Sequence, residues 1–182
     1  MPEIPPKSIY LIRHATPDWT RKDIPYNIPP GPSLIAKGER QARQLAAFLQ
    51  QSQVKHVYTS PMQRALQTAQ IVIQTVQIPY EINQDLIEWK PDESEESVKG
   101  RIWPFINNQF SQNLDGDLAF VSHGGPITLL LKAFGMQPEL LDQYCHSFDG
   151  NNPLPPAGAW KVTPLDGNNE WQMDLVFKPD VE

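Results

Sequence analysis

At 182 residues, with 40% hydrophobic and 20% charged residues, the chain has the composition of one globular domain rather than of a disordered segment. Its formal net charge of −6 argues against nucleic acid or an anionic membrane as the main partner, since both call for a basic face. The single cysteine, Cys145, excludes an internal disulfide and fits a reducing, cytoplasmic compartment.

The opening Met1-Pro2-Glu3-Ile4-Pro5-Pro6-Lys7 has neither the basic nor the apolar region of a secretory signal. No apolar run approaches the roughly 20 residues needed to cross a bilayer. A short apolar run, Ile9 to Ile12, reads as a buried strand and ends on Arg13-His14. From Trp19 to Ser33 the chain is irregular and polar, with prolines from Pro25 to Pro32; loops of that length in a compact domain are functional or disordered. Ala42, Leu45, Ala46 and Leu49 share one face of a helix from Glu39 to Gln51, with Gly38 marking the turn before it.

Val54 to Tyr58 is a second strand. The helix after it runs from Pro61 to Gln77, with Ser60 as N-cap and Pro61 as first residue. Tyr80 to Ile82 is a short edge strand. A third helix starts at Ser94, and Pro104 should kink or divide it. Leu118 to Val121 is another buried strand, ending in Ser122-His123. Gly124-Gly125 then leads to an apolar helix from Pro126 to Phe134, and a short helix follows from Pro138 to about Tyr144. Ala159 to Thr163 and Trp171 to Phe177 form a hairpin around Asp166-Gly167-Asn168. Strands alternating with helices imply an α/β domain over 1–182, with a mostly parallel sheet covered on both faces.

In such a sheet, ligands bind outside the carboxyl ends of the strands. Three strand ends here carry Arg13-His14, Ser60-Pro61-Met62-Gln63-Arg64 and His123-Gly124. A helix N-terminus favours an anion, and an arginine fork suits phosphate oxygens. Taken singly, each histidine reads as an ordinary strand-end residue and Arg64 as a surface ion-pair former. Together, two arginines and one imidazolium can hold a phosphoryl group while the other imidazole attacks it. A leaving alkoxide also needs a proton, and Glu88, among bulky apolar neighbours that raise a carboxyl pKa, can supply one.

Four segments in order carry a resemblance: Leu11-Ile12-Arg13-His14-Ala15; Ser60-Pro61-Met62-Gln63-Arg64-Ala65-Leu66-Gln67-Thr68-Ala69; Leu86-Ile87-Glu88; and Val121-Ser122-His123-Gly124-Gly125-Pro126-Ile127. Together they resemble the histidine phosphatase superfamily, the phosphoglycerate-mutase-like group. The resemblance implies a three-layer α/β/α sandwich with short cap loops around 16–33 and 89–100. It implies His14 as the phosphorylated nucleophile, Glu88 as proton donor, and Arg13, Arg64 and His123 as the phosphate pocket. Gly124 and Thr20 are further phosphate contacts, Thr20 standing where the family often has an asparagine. No metal or other cofactor is implied.

Three departures stand out. Ala15 replaces the usual glycine after the histidine, a change expected to be tolerated. Thr20 replaces the asparagine. The family's pattern after the acid is missing, and Lys90-Pro91-Asp92-Glu93-Ser94-Glu95-Glu96-Ser97 makes a short acidic cap, of which Asp92 to Glu96 reads as a solvated loop and helix start. The expected activity is metal-independent hydrolysis of a small phosphate monoester. The alternatives are a phosphoglycerate mutase, a phosphohistidine-protein phosphatase, or a phosphate-binding module without turnover.

Overall fold

The computed structural model describes residues 7–112, 116–165 and 170–180. Six strands form one sheet: β1 (Ile9–Arg13), β2 (Val54–Thr59), β3 (Tyr80–Ile82), β4 (Asp117–Ser122), β5 (Ala159–Pro164) and β6 (Trp171–Phe177). Their order across the sheet is β3-β2-β4-β1-β5-β6. The pairs β3–β2, β2–β4 and β4–β1 are parallel, and β1–β5 and β5–β6 are antiparallel. The sheet is therefore mostly parallel, with an antiparallel flap at one side. The expected hairpin turn at Asp166-Gly167-Asn168 lies outside the described residues.

Side-chain alternation divides the strands between two cores. Ile9, Leu11, Leu118, Phe120, Trp160 and Val162 point to one side, where they meet α3 (Glu95–Gln112), α4 (Gly124–Ala133) and α5 (Pro138–Phe148). Tyr10, Ile12, Val57, Ala119, Val121 and Ala159 point to the other, against α1 (Ala36–Gln50) and α2 (Gln63–Val76). Both faces are apolar because both are covered, which is why β1 and β4 are buried along their whole length. The result is a three-layer α/β/α sandwich.

Several boundaries differ from the sequence reading for local reasons. Helix α1 begins at Ala36, so Gly38 is a helical residue rather than the turn before it. Its missing side chain is a packing requirement: a Cβ there would stand 2.1 Å from the carbonyl oxygen of Thr16. Helix α2 begins at Gln63 with Met62 as N-cap; the Ser60 hydroxyl oxygen accepts from the Met62 amide at 3.3 Å and also meets His123 Nε2 at 2.8 Å. Pro104 lies inside an undivided α3. Helix α4 starts at Gly124, and α5 runs on to Phe148.

The two helical glycines of α1 and α3 should respond in opposite ways. Gly38→Ala is expected to cost about 1–3 kcal/mol, the usual penalty of overpacking. Gly100→Ala, on an exposed stretch of α3 where a Cβ meets nothing within 4 Å, should add about 0.5–1 kcal/mol. Urea unfolding of the two variants checks both signs.

Candidate active site

The order β3-β2-β4-β1 brings the C-terminal ends of the parallel strands side by side, and the chain leaves each of them with a polar residue. His14 follows β1, Ser60 and Arg64 follow β2, Glu88 follows β3 through a 3-10 turn at Gln84–Leu86, and His123 follows β4. The centroids of the two imidazoles are 5.2 Å apart. His14 is 1% exposed, and Arg64 and His123 are fully buried.

The two rings are held by opposite nitrogens. His14 Nδ1 lies 2.7 Å from its own neighbour's carbonyl, that of Ala15. A carbonyl only accepts, so Nδ1 carries the proton and Nε2 keeps a lone pair. Arg64 Nε donates to that Nε2 at 3.2 Å, and the Tyr26 hydroxyl stands 3.5 Å from it. His123 instead meets the Ser60 hydroxyl through Nε2, at 2.8 Å, and turns Nδ1 to within 3.5 Å of Glu88 Oε2.

Arg64 is the most constrained group. Nη1 donates to the Tyr26 carbonyl at 2.8 Å, the Tyr26 ring centroid is 4.0 Å from the guanidinium carbon, and Nη2 is 3.6 Å from Glu88 Oε2. The loop carrying Tyr26 can settle this close because Gly31 adopts φ +66°; a Cβ there would come within 2.9 Å of Nη1. Arg13 Nη1 donates to Asp149 Oδ2 at 2.9 Å and to the Leu154 carbonyl at 3.0 Å. Three buried donor atoms of this cluster have no hydrogen-bond partner among the described residues: Arg13 Nε, Arg64 Nη2 and His123 Nδ1.

Burial dominates the titration. It holds both imidazoles well below the ordinary histidine value, helped at His14 by Arg64 and Arg13 and at His123 by Arg64 and His14. Burial likewise raises the Glu88 carboxyl, against the opposing pull of the Trp89 amide and the two arginines. One atom each of His14, Glu88 and His123 lie within 4.8 Å of one another, a spacing that could suit a metal ion. The charges around them suit an anion better: Arg64 already donates to the only lone pair of His14, and a second guanidinium adjoins it.

Of the residues singled out from the sequence, Arg13, His14, Arg64, Glu88 and His123 come together. Gly124 opens α4 beside them, and its missing Cβ leaves room for Asn152, whose Oδ1 would otherwise be 1.3 Å away. Thr20 does not join them. It is exposed, and its hydroxyl donates to Asp18 at 2.5 Å in a local turn. Ala15 packs its methyl into the α1–α2 core.

In the acidic cap, Asp92, Glu95 and Glu96 are exposed and the last two open α3 as expected, but Glu93 is not a free charge. Glu93 forms a two-pronged pair with Arg101 of α3, whose hydrogen bonds pull its carboxyl down to about 2. The Trp89 indole donates to the Glu93 carbonyl, so this pair fixes the segment that follows Glu88. Asn27 Nδ2 donates to the Trp89 carbonyl at 3.0 Å and joins the two cap loops. Tyr26 and Asp149 were missed in the sequence. Neither is in a recognisable motif, and only the loop conformations bring them in.

The model of the histidine phosphatase superfamily (branch 1) matches residues 9–95. That match covers just under half of the chain and takes in His14, Arg64 and Glu88, so the chain is similar to the histidine phosphatase superfamily over that stretch. It is 38% identical over 82 residues to a 2,3-bisphosphoglycerate-dependent phosphoglycerate mutase of Thermoplasma acidophilum, a match spanning 45% of this chain and 41% of the mutase. It is 28% identical over 163 residues to the uncharacterized phosphatase PhoE of Bacillus subtilis, covering 73% and 80% of the two chains. Among solved structures, a mycobacterial glucosyl-3-phosphoglycerate phosphatase superposes with a TM-score of 0.71 at 18% identity, over 93% of this chain and 97% of that one. A phosphoglycerate mutase from Bacillus anthracis superposes with 0.72 at 17%, over 94% and 93%. No described helix is long and apolar enough to cross a membrane.

The depressed imidazoles give a signed prediction for stability. Below the ordinary histidine pKa of 6.5 the unfolded chain takes up protons that the folded chain refuses. Unfolding free energy should therefore be full above about pH 6.5 and fall as pH drops, by up to about 1.4 kcal/mol per pH unit for each histidine. Glu88 works the other way, since the folded chain takes up its proton first on acidification. Urea unfolding between pH 7 and 5 should show the fall, with a shallower slope in His123→Gln; an unchanged slope in that variant contradicts the account.

Proposed function

We propose that this protein is a phosphatase that hydrolyses a small phosphate monoester through a phosphohistidine at His14, with no metal required. The observation that carries the reading is the set of three buried nitrogens without a hydrogen bond, Arg13 Nε, Arg64 Nη2 and His123 Nδ1, the last two near Glu88 Oε2, beside the lone pair of His14 Nε2. A phosphoryl group offers acceptor oxygens to those donors and a phosphorus atom to that lone pair.

In the first step Nε2 attacks phosphorus and the P–O bond to the leaving group breaks. The His14 Nδ1–H bond to the Ala15 carbonyl stabilises the positive ring that results. The leaving oxygen takes a proton from Glu88, whose carboxyl is kept protonated by burial to a higher pH than usual. In the second step a water attacks phosphorus, gives its proton to the Glu88 carboxylate, and the P–N bond breaks to restore the lone pair. Arg13 and Arg64 keep their charge throughout and bind the non-bridging oxygens.

The likeness to a phosphoglycerate mutase over 82 residues supports a second reading, in which the phosphoryl group returns to substrate instead of passing to water. The same residues serve both, and a coupled mutase assay separates them.

Activity on p-nitrophenyl phosphate with a chelator present tests the first reading. His14→Ala should lower kcat/KM about a thousandfold or more; equal activity in the two proteins sinks it. Glu88→Gln should reduce kcat by about a hundredfold or more on alkyl phosphates, whose leaving groups need the proton, and far less on p-nitrophenyl phosphate.

A further inference from the structure

From the geometry we infer that Tyr26 is a catalytic residue whose hydroxyl hydrogen-bonds the phosphoryl group carried by His14, the contact expected from the sequence for Thr20. The inference rests on the phosphohistidine reading above.

Tyr26 touches the cluster with three separate parts. Its carbonyl accepts from Arg64 Nη1, its ring lies against the Arg64 guanidinium, and its hydroxyl points at His14 Nε2 from 3.5 Å. With the His14 proton fixed on Nδ1, Nε2 can only accept. The tyrosine hydroxyl therefore donates, sharing one lone pair with Arg64 Nε at 3.2 Å. Phosphorylation converts that lone pair into a P–N bond, so both donors lose their acceptor at the same moment. Arg64 is fully buried and Tyr26 half-buried; a donor deprived of its acceptor there is costly, and the acceptors that arrive with the new bond are the phosphoryl oxygens. The electron pair moves from ring to phosphorus, while the Tyr26 proton stays on its own oxygen and changes only its acceptor.

Tyr26 also lines an open cleft with Trp19, Lys22, Ile24, Pro25 and Pro32, so the hydroxyl stands where a phosphorylated ligand can reach it. Thr20 is bound to Asp18 and gives no hydroxyl to the cluster.

Vanadate, which takes the shape of the transferring phosphoryl group, is the probe. Its affinity by calorimetry, kcat and KM on p-nitrophenyl phosphate, and the urea midpoint should be measured for wild type, Tyr26→Phe, Tyr26→Ala and His14→Ala. Tyr26→Phe keeps the ring on Arg64 and removes only the hydroxyl. It should weaken vanadate about tenfold to a hundredfold, lower kcat similarly, and leave the urea midpoint in place. Tyr26→Ala, which also uncovers Arg64, should lose more. If Tyr26→Phe binds vanadate and turns over within twofold of wild type while His14→Ala is inactive, Tyr26 has no such role and the phosphohistidine reading survives. If His14→Ala stays active, that reading and this inference fall together.

Discussion

A guanidinium with no access to water sets the terms for the rest of this structure. Isolated, a buried charge is among the most costly features a fold can contain. Arg64 is tolerated because a carbonyl, an aromatic face and a ring nitrogen lone pair meet it, with the Glu88 carboxyl 3.6 Å from Nη2. Those partners come from three separate parts of the chain, two of them from Tyr26 alone. The helix start that carries Arg64, the proline-rich loop, the end of β1 and the segment after β3 must all be in place together. Gly31 and the short connection from β2 to α2 are consequences of that demand.

Two histidines with equal burial have different capacities, and hydrogen bonding makes the difference. The Ala15 carbonyl fixes the His14 proton on Nδ1 and leaves Nε2 nucleophilic. The Ser60 hydroxyl engages His123 through Nε2 and aims Nδ1 at the carboxylate side. Because burial suppresses the charge on both rings, the permanent positive charge of the site is that of Arg13 and Arg64. Glu88 sits between these effects: desolvation raises its carboxyl while the arginines and a backbone amide pull it down.

Much of this was legible from the sequence, because the informative residues sit where strands end. The buried runs before Arg13, Ser60 and His123 announced β1, β2 and β4 to within a residue or two, and alternation of strands and helices implied a covered sheet. What escaped was set by tertiary contacts. Gly38 looks like a turn until Thr16 is seen lying across the helix. Ser60 has the chemistry of an N-cap and does accept from the Met62 amide, but its hydroxyl also engages His123, which no local pattern shows. Glu93 looks like a solvated charge because Arg101, eight residues on, is paired with it only once α3 forms. Tyr26 and Asp149 belong to loops whose course no local pattern dictates, and Thr20, chosen by alignment with a family motif, points away for the same reason.

The three buried nitrogens without a hydrogen bond also have a thermodynamic meaning. An anion that pairs Arg13 Nε, Arg64 Nη2 and His123 Nδ1 finds them assembled only in the folded chain, so its binding energy is added to the folding equilibrium. At a hundredfold excess over its dissociation constant such a ligand raises apparent stability by about 2.7 kcal/mol. That is a large share of what holds a typical domain together. Ligand occupancy and resistance to unfolding are therefore one variable, and a shift in melting temperature ranks candidate substrates without any turnover being seen.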